Sequence, residues 1–136
     1  MQKKVQIITD GSCDLAKELT IEKDITVVPF YVSFDSQNYL KEMEELDVRE
    51  FYQKMVDNPD VFPKTSMPSV DDFYQVFLPL AKEGVPAICI CITAKFSGSL
   101  QSATTARDMI LEEYPDAKIT VIDSIMDTVL QGLYVL

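Results

Sequence analysis

Hydroxyl-bearing residues occupy four predicted turns of this 136-residue chain: Asp10-Gly11-Ser12, Thr65-Ser66, Ser97-Gly98-Ser99 and Asp123-Ser124. Parallel sheets bind ligands outside the carboxyl ends of their strands, which is where such turns lie. Ser97-Gly98-Ser99 follows an apolar run at residues 87–92 and precedes a helical pattern. It would therefore offer hydroxyls and free backbone N–H groups to an anion. The competing interpretation is an ordinary serine-capped helix that binds nothing.

Other kinds of site chemistry have less support in the sequence. The chain contains no histidine, which excludes Ser-His and Cys-His nucleophile pairs and the common metal-ligand sets. It contains neither G-x-G-x-x-G nor G-x-x-x-x-G-K-[ST], so neither phosphate cradle is expected. Asp10 and Asp123 could bind magnesium, but aspartates at strand ends more often form turns and caps. We therefore expect no cofactor and no metal site.

An enzymatic alternative depends on two lysines near the hydroxyl groups. Lys95 lies two positions before Ser97, and Lys64 is adjacent to Thr65, so either pair is a candidate for acyl or phosphoryl transfer. Lysines beside turns are more commonly solvated, and no clear general base accompanies these hydroxyls. We expect a protein that is not an enzyme, and an acyl- or phosphoryl-transfer enzyme remains the alternative.

Composition limits the partners and the compartment. Twenty-two acidic and twelve basic residues give a net charge of -10, which disfavours nucleic acid as a partner. No apolar stretch approaches the length of a membrane span. The three cysteines, Cys13, Cys89 and Cys91, are odd in number and are expected to be core thiols in a reducing cytoplasm. We expect Cys89 and Cys91 to point to opposite faces of their strand.

Strand and helix patterns alternate along the chain. This order predicts an α/β domain with a mostly parallel sheet and helices on both faces. The unbroken apolar run at residues 87–92 is typical of a strand buried on both sides. Predicted strands cover residues 4–9, 25–34, 87–92 and 118–122. Predicted helices cover residues 12–19, 47–56, 69–84, 100–114 and 128–136.

Several segments carry signals that interrupt this regular pattern. Pro29 predicts an edge position or a bulge within the second strand. Pro79 predicts a kink or a restart within the third helix. Residues 39–40 predict a short returning hairpin arm, and the charged residues 41–45 are expected to be exposed. Residues 63–68, with two prolines and two hydroxyls, predict a loop.

The end of the sequence is an apolar helical pattern without a stop signal. Residues 128–136 lack a C-cap, a terminal Lys or Arg, and a closing glycine. We expect either a fragment of a longer protein or a helix that docks outside the chain. Val129, Leu130, Leu133 and Leu136 lie close to one face, so we predict self-association through this segment.

Three sets of motifs resemble one known family. Thr65-Ser66-Met67-Pro68-Ser69 resembles the T-S-Q-P-S signature of DegV proteins, with Met67 in place of glutamine. Residues 92–103, Ile-Thr-Ala-Lys-Phe-Ser-Gly-Ser-Leu-Gln-Ser-Ala, are similar to that family's S-S-x-L-S-G-T-Y-Q-S-A segment. Residues 8–15 and 121–124 are similar to its other strand-end motifs. The order and spacing of the motifs match over essentially the whole chain.

The resemblance implies a fold and a function. Residues 1–136 would be a DegV-like N-terminal α/β domain, with the second lipid-binding domain absent. The family binds fatty acids, and some members present the acid to a separate fatty acid kinase that phosphorylates the carboxylate. By the family motif, Thr65 and Ser97 would donate hydrogen bonds to the carboxylate, and Ser66, Gly98 and Ser99 would shape the same turn.

The sequence also departs from the family pattern. Ser99 replaces the common threonine and keeps the hydroxyl. Residues 39–42, Tyr-Leu-Lys-Glu, lack the acidic residue and glycine that usually follow this tyrosine, so no family role is carried over to this hairpin. The absent second domain would remove half of the ligand pocket.

Overall fold

The computed structural model describes residues 5–136, in which strands and helices alternate as predicted. The strands are β1 (Gln6–Asp10), β2 (Ile25–Val28), β3 (Tyr31–Ser33), β4 (Leu40–Lys41), β5 (Lys64–Ser66), β6 (Ala87–Cys91) and β7 (Ile119–Asp123). The helices are α1 (Lys17–Glu22), α2 (Val48–Asp57), α3 (Val70–Glu83), α4 (Ser99–Glu113) and α5 (Thr128–Val135), and a 3₁₀ turn covers Gly11–Cys13. Among residues 5–136, no helix combines the length and the apolar composition needed to cross a bilayer. Lys4, the predicted start of the first strand, lies outside the described residues.

Four strands form a parallel sheet in the order β2-β1-β6-β7. The central strand β1 pairs on both sides, so that Ile8 lies opposite Thr26 of β2 and Cys89 of β6. Central strands are covered on both faces, which explains the unbroken apolar sequence of β6, the other central strand. Because the strands are parallel, the segments that follow β1, β6 and β7 all emerge at one edge of the sheet.

Helices cover both faces of this sheet. Helices α3 and α4 pack on one face, where Phe73 and Phe77 are fully buried with Ile8. Helix α5 lies on the opposite face, where Val135 packs with Ile90. The predicted α/β class, with a parallel sheet between helices, is confirmed.

The helix boundaries follow the predicted caps. Ser69 and Asp72 form a complete capping box, with Ser69 N donating to Asp72 Oδ2 at 2.7 Å and Asp72 N donating to Ser69 Oγ at 3.1 Å. Asp47 caps α2 with its side chain. Gly84 ends α3 in the left-handed conformation, at φ 69°. Helix α3 runs through Pro79 without restarting.

The chain leaves the parallel sheet at Pro29, so the single strand predicted for residues 25–34 is wrong. β2 ends at Val28, and β3 begins at Tyr31 in a second, antiparallel sheet of order β4-β3-β5. Proline has no N–H to donate to a ladder, which explains the break. β4 pairs with β3 and confirms the hairpin arm predicted around residues 39–40.

Two further local predictions are wrong. The predicted loop at residues 63–68 contains β5, in which Thr65 pairs with Val32 of β3. The helix predicted for residues 12–19 is divided, because the 3₁₀ turn ends at Asp14 in the left-handed conformation, at φ 49°. Helix α1 begins only after this interruption.

The three cysteines are buried free thiols. Cys89 and Cys91 lie on the same face of β6, with their sulfur atoms 3.8 Å apart, because alternate strand residues share a face. The expectation that they point to opposite faces is wrong. Burial raises the pKa of the Cys13 thiol to about 11, which keeps it protonated at neutral pH.

Candidate functional site

A fully buried carboxylate organises the carboxyl edge of the parallel sheet. Asp10 Oδ2 accepts hydrogen bonds from Ile92 N at 2.9 Å and from Ser99 Oγ at 2.8 Å. Asp10 Oδ1 accepts from Gln131 Nε2 at 2.9 Å and from Ser12 N at 3.3 Å. Four donors offset the cost of burying a charge. Asp10, rather than Ser12 as predicted, therefore caps the first turn, and it ties β1 to the segments after β6 and β7.

Gln131 completes this network, and the sequence analysis did not single it out. Its amide Nε2 also donates to Thr9 Oγ at 3.1 Å, and its Oε1 accepts from Ser12 Oγ at 2.6 Å. The side chain is fully buried. The sequence does contain a signal for this network: Gln131 is the one amide among the apolar residues 129–136. A buried amide needs several hydrogen-bond partners, so its presence in an apolar helix indicates a polar network.

The turn before α4 directs its two serines differently. Ser99 is fully buried, and its hydroxyl donates inward to Asp10. Ser97 is half-buried, and its Oγ accepts a hydrogen bond from Ser99 N at 3.1 Å. Because Ser97 Oγ is an acceptor there, its own O–H remains available to donate to a ligand. Of the two hydroxyls, only that of Ser97 suits an external acceptor.

Thr65 lies on β5 with its side chain exposed. It lines a groove of about 200 Å³, the Thr65 groove, whose other walls are mostly apolar. The apolar walls of the Thr65 groove are Val32, Met43, Leu46, Val48, Phe51 and Tyr52, and its polar lining includes Asp14 and Glu42. A hydroxyl beside an apolar groove suits a ligand with a polar head and an oily chain.

The Thr65 strand and the Ser97 turn meet through Met67 and Gly98. A Cβ atom placed on Gly98 would lie 2.6 Å from Met67 Sδ, so the thioether occupies the space that glycine leaves open. Both turns were predicted from the sequence, and Met67 and Gly98 bring them into contact.

The fourth predicted turn, Asp123-Ser124, is held by hydrogen bonds within the turn. Asp123 Oδ1 accepts from Ile125 N at 2.8 Å, and Ser124 Oγ donates to Met126 O at 3.0 Å. Asp123 therefore has the turn-forming role that the sequence analysis preferred over magnesium binding. Within residues 5–136, no group of three or more His, Cys, Asp or Glu residues is arranged to hold a metal ion.

The amines of the two candidate lysines point to no catalytic pairing with the hydroxyls beside them in the described part of the chain. Lys95 and Lys64 are exposed. Among the described residues, neither amine forms a hydrogen bond to Ser97 or Thr65. The backbone N of Lys95 donates to Thr93 Oγ at 3.4 Å. Such an arrangement is typical of solvated lysines.

Glu42 is a second carboxylate that the sequence analysis missed, since residues 41–45 were expected to be exposed. It is half-buried beside Gly11, and its Oε1 accepts from Phe30 N at 3.1 Å. Burial raises the pKa of Glu42 above its ordinary value, and the negative charges of Asp14 and Asp10 add to this effect. An acidic group thus lines the Thr65 groove.

The fold and the site define an α/β domain that presents hydroxyl-bearing turns at the carboxyl edge of a parallel sheet. The chain belongs to the DegV family: the sequence model described as "Uncharacterised protein, DegV family" matches residues 4–136. A DegV domain-containing protein of Clostridium perfringens is 34% identical over 132 residues, which cover 97% of this chain and 46% of that protein.

Solved structures share the fold. A fatty acid (stearic acid)-binding protein from Eubacterium ventriosum superposes with a TM-score of 0.91 at 46% identity, over 98% of this chain and 44% of that one. DegV from Bacillus subtilis, described as a fatty acid binding protein, superposes with a TM-score of 0.83 at 27% identity, over 98% and 45% of the two chains. This chain therefore spans about half the length of these relatives.

Proposed function

We propose that this chain binds a long-chain fatty acid and holds its carboxylate between Thr65 and Ser97. The main support for this proposal is the contact between Met67 and Gly98, which joins the two hydroxyl-bearing turns. A structural relative that is 46% identical binds stearic acid, which supports the ligand class.

The site chemistry fits a carboxylate head group. The free O–H of Ser97 and the exposed hydroxyl of Thr65 can each donate to a carboxylate oxygen. Each hydrogen bond to a charged acceptor contributes about 1.5–3 kcal/mol. Helix α4 begins at Ser99, so the positive end of its dipole adds to the attraction. These hydroxyls and the helix dipole would hold the carboxylate without a bound cation.

Three further residues shape the site without donating to the ligand. Ser99 anchors the turn to Asp10, at 2.8 Å, and keeps Ser97 at its surface. Gly98 leaves room for Met67. Ser66 pairs with Tyr31 in the small sheet and fixes the strand that carries Thr65.

The acyl chain would lie against the apolar walls of the Thr65 groove. Each buried methylene contributes about 0.8 kcal/mol, so the chain supplies most of the affinity and the hydroxyls supply the orientation. A volume of about 200 Å³ accommodates only part of a long acyl chain. The rest would be covered by a second lipid-binding domain, in keeping with relatives about twice as long.

We further propose that the bound acid is presented to a partner fatty acid kinase, which phosphorylates the carboxylate to an acyl phosphate. This step follows from the family resemblance. It is supported by the exposed position of Thr65 and the half-buried position of Ser97, which keep the head group within reach of a partner's active site. The chain itself would not be an enzyme, and its buried free thiols suit a reducing cytoplasm.

Mass spectrometry of the purified chain tests the ligand class directly. We expect a fatty acid to be released on denaturation. Calorimetric titration with stearate then tests the site: Ser97→Ala removes one charge-assisted hydrogen bond and should weaken binding about tenfold. Thr105→Ala, which removes a hydroxyl from the next turns of α4, is the matched control. Equal affinity of both variants and the parent chain would remove Ser97 from the site.

A further inference from the structure

The two turns of the proposed site belong to different parts of the fold. Thr65 and Ser66 lie on β5, in the small antiparallel sheet, whereas Ser97 follows β6 of the parallel sheet. Among residues 5–136, no hydrogen bond joins residues 64–68 to residues 97–99. Their relative position must therefore be set by packing.

At Gly98 the missing Cβ matters for space rather than for backbone conformation. Its φ of -77° and ψ of 5° are accessible to any residue. A Cβ atom there would lie 2.6 Å from Met67 Sδ and 3.1 Å from Met67 Cε. The thioether of Met67 thus lies directly over the Cα atom of Gly98.

The segments that carry Met67 and Gly98 are each held in place by neighbouring residues. On the Met67 side, Pro68 is buried, and Ser69 is held by the capping box with Asp72. Asp72 Oδ1 also accepts from Tyr31 Oη at 2.8 Å, which joins the start of α3 to the small sheet. On the other side, Ser99 holds the turn to Asp10. Met67 therefore bridges two well-anchored segments.

We propose that Met67 is the positioning residue of the fatty-acid head-group site, setting the separation of the Thr65 and Ser97 hydroxyls through its contact with Gly98. This inference rests on the proposed function. A flexible, polarisable thioether fills an irregular gap well, and hydroxyls that share one carboxylate must keep a fixed spacing. Met67 makes no hydrogen bond to the ligand in this role.

A double-mutant cycle tests the contact in the 136-residue chain, with stearate affinity measured by calorimetry. Met67→Ala empties the gap, and Gly98→Ala displaces the thioether, so each should weaken binding about fivefold. In the double variant the alanine at position 98 partly refills the gap. We therefore expect the double variant to bind no more weakly than either single variant. Met67→Leu, which conserves volume, should bind like the parent chain.

Met109→Ala is the matched control, since Met109 is on α4 and, at 45%, is as exposed as Met67. The thermal midpoints of all variants should stay within a few degrees of the parent chain, which separates repositioning from unfolding. Single effects that multiply in the double variant, or equal affinities for Met67→Ala and Met109→Ala, would overturn the role of Met67. Failure of the parent chain itself to bind stearate would instead refute the proposed function.

Discussion

At the scale of single residues, the fully buried carboxylate of Asp10 and the half-buried carboxylate of Glu42 are accommodated in different ways. Asp10 accepts four hydrogen bonds from surrounding donors. Glu42 accepts one side-chain hydrogen bond, from Phe30 N, and faces the negative charges of Asp14 and Asp10. Partial burial favours the protonated form more than the single hydrogen bond from Phe30 N favours the charged form, and this is why the pKa of Glu42 is raised.

The raised pKa of Glu42 predicts a pH-dependent stability. A carboxyl whose pKa is higher in the folded state binds protons more readily there, so its contribution to stability falls as pH rises above the ordinary value of 4.5. Glu42→Gln keeps an acceptor for Phe30 N but carries no charge. It should be more stable than the parent chain at pH 7, and this advantage should disappear as pH falls to about 4.

Urea unfolding at a series of pH values measures this difference. Glu112→Gln, an exposed substitution on α4, is the control and should show no comparable trend. A stability difference for Glu42→Gln that stays constant from pH 4 to pH 8 would contradict the assignment of the raised pKa to burial of this side chain.

At the scale of elements, the sequence predicted correctly those strands and helix ends that depend on interactions between nearby residues. The apolar run of β6, the Ser69–Asp72 capping box and the glycine at the end of α3 each act within a few residues, and each was confirmed. β5 was missed because Thr65-Ser66 lies between prolines and has the composition of a loop. Its strand conformation comes from pairing with β3, a long-range contact without a local signature.

The sequence identifies the candidate site residues but not the contacts between them. Ser97 stands out because its hydroxyl follows a predicted strand, and both Thr65 and Ser97 match family motifs. The Met67–Gly98 contact joins distant parts of the chain, and the inward direction of the Ser99 hydroxyl depends on a partner in β1. Neither follows from spacing alone, because the first depends on how the two sheets are positioned relative to each other and the second on the pairing of β1 with β6.

Close packing of α5 against the 3₁₀ turn gives a prediction at this scale. A Cβ atom on Gly132 would overlap the carbonyl oxygen of Cys13, and that backbone atom cannot move aside. Gly132→Ala should therefore push α5 away from the turn and destabilise the chain by about 1–3 kcal/mol. Leu133→Ala, on the exposed side of the same helix, should cost much less.

Urea unfolding compares the two variants, and amide hydrogen exchange locates the effect. Protection should fall first in α5 and in the 3₁₀ turn of Gly132→Ala, because Gln131 would lose its position beside Asp10. Equal stabilities of Gly132→Ala and Leu133→Ala would show that the helix can shift without cost.

At the scale of the whole molecule, α5 presents an apolar face on a strongly acidic chain. Its inner side is held by Gln131 and Val135, so the helix is docked rather than frayed. Its outer side exposes Val129, Leu130, Leu133 and Leu136 by 64%, 59%, 64% and 58%. Contiguous apolar surface of this kind on a protein usually contacts a partner.

We predict that the 136-residue chain self-associates through this face of α5. The net charge of -10 opposes the approach of two copies, so association should strengthen as added salt screens the repulsion. Light scattering across a salt series measures the average mass. The double variant Val129→Gln, Leu133→Gln makes the face polar while leaving the inner side of α5 intact, and it should remain monomeric at every salt concentration. A parent chain that stays monomeric throughout, or a double variant that associates equally, would exclude this face as the interface.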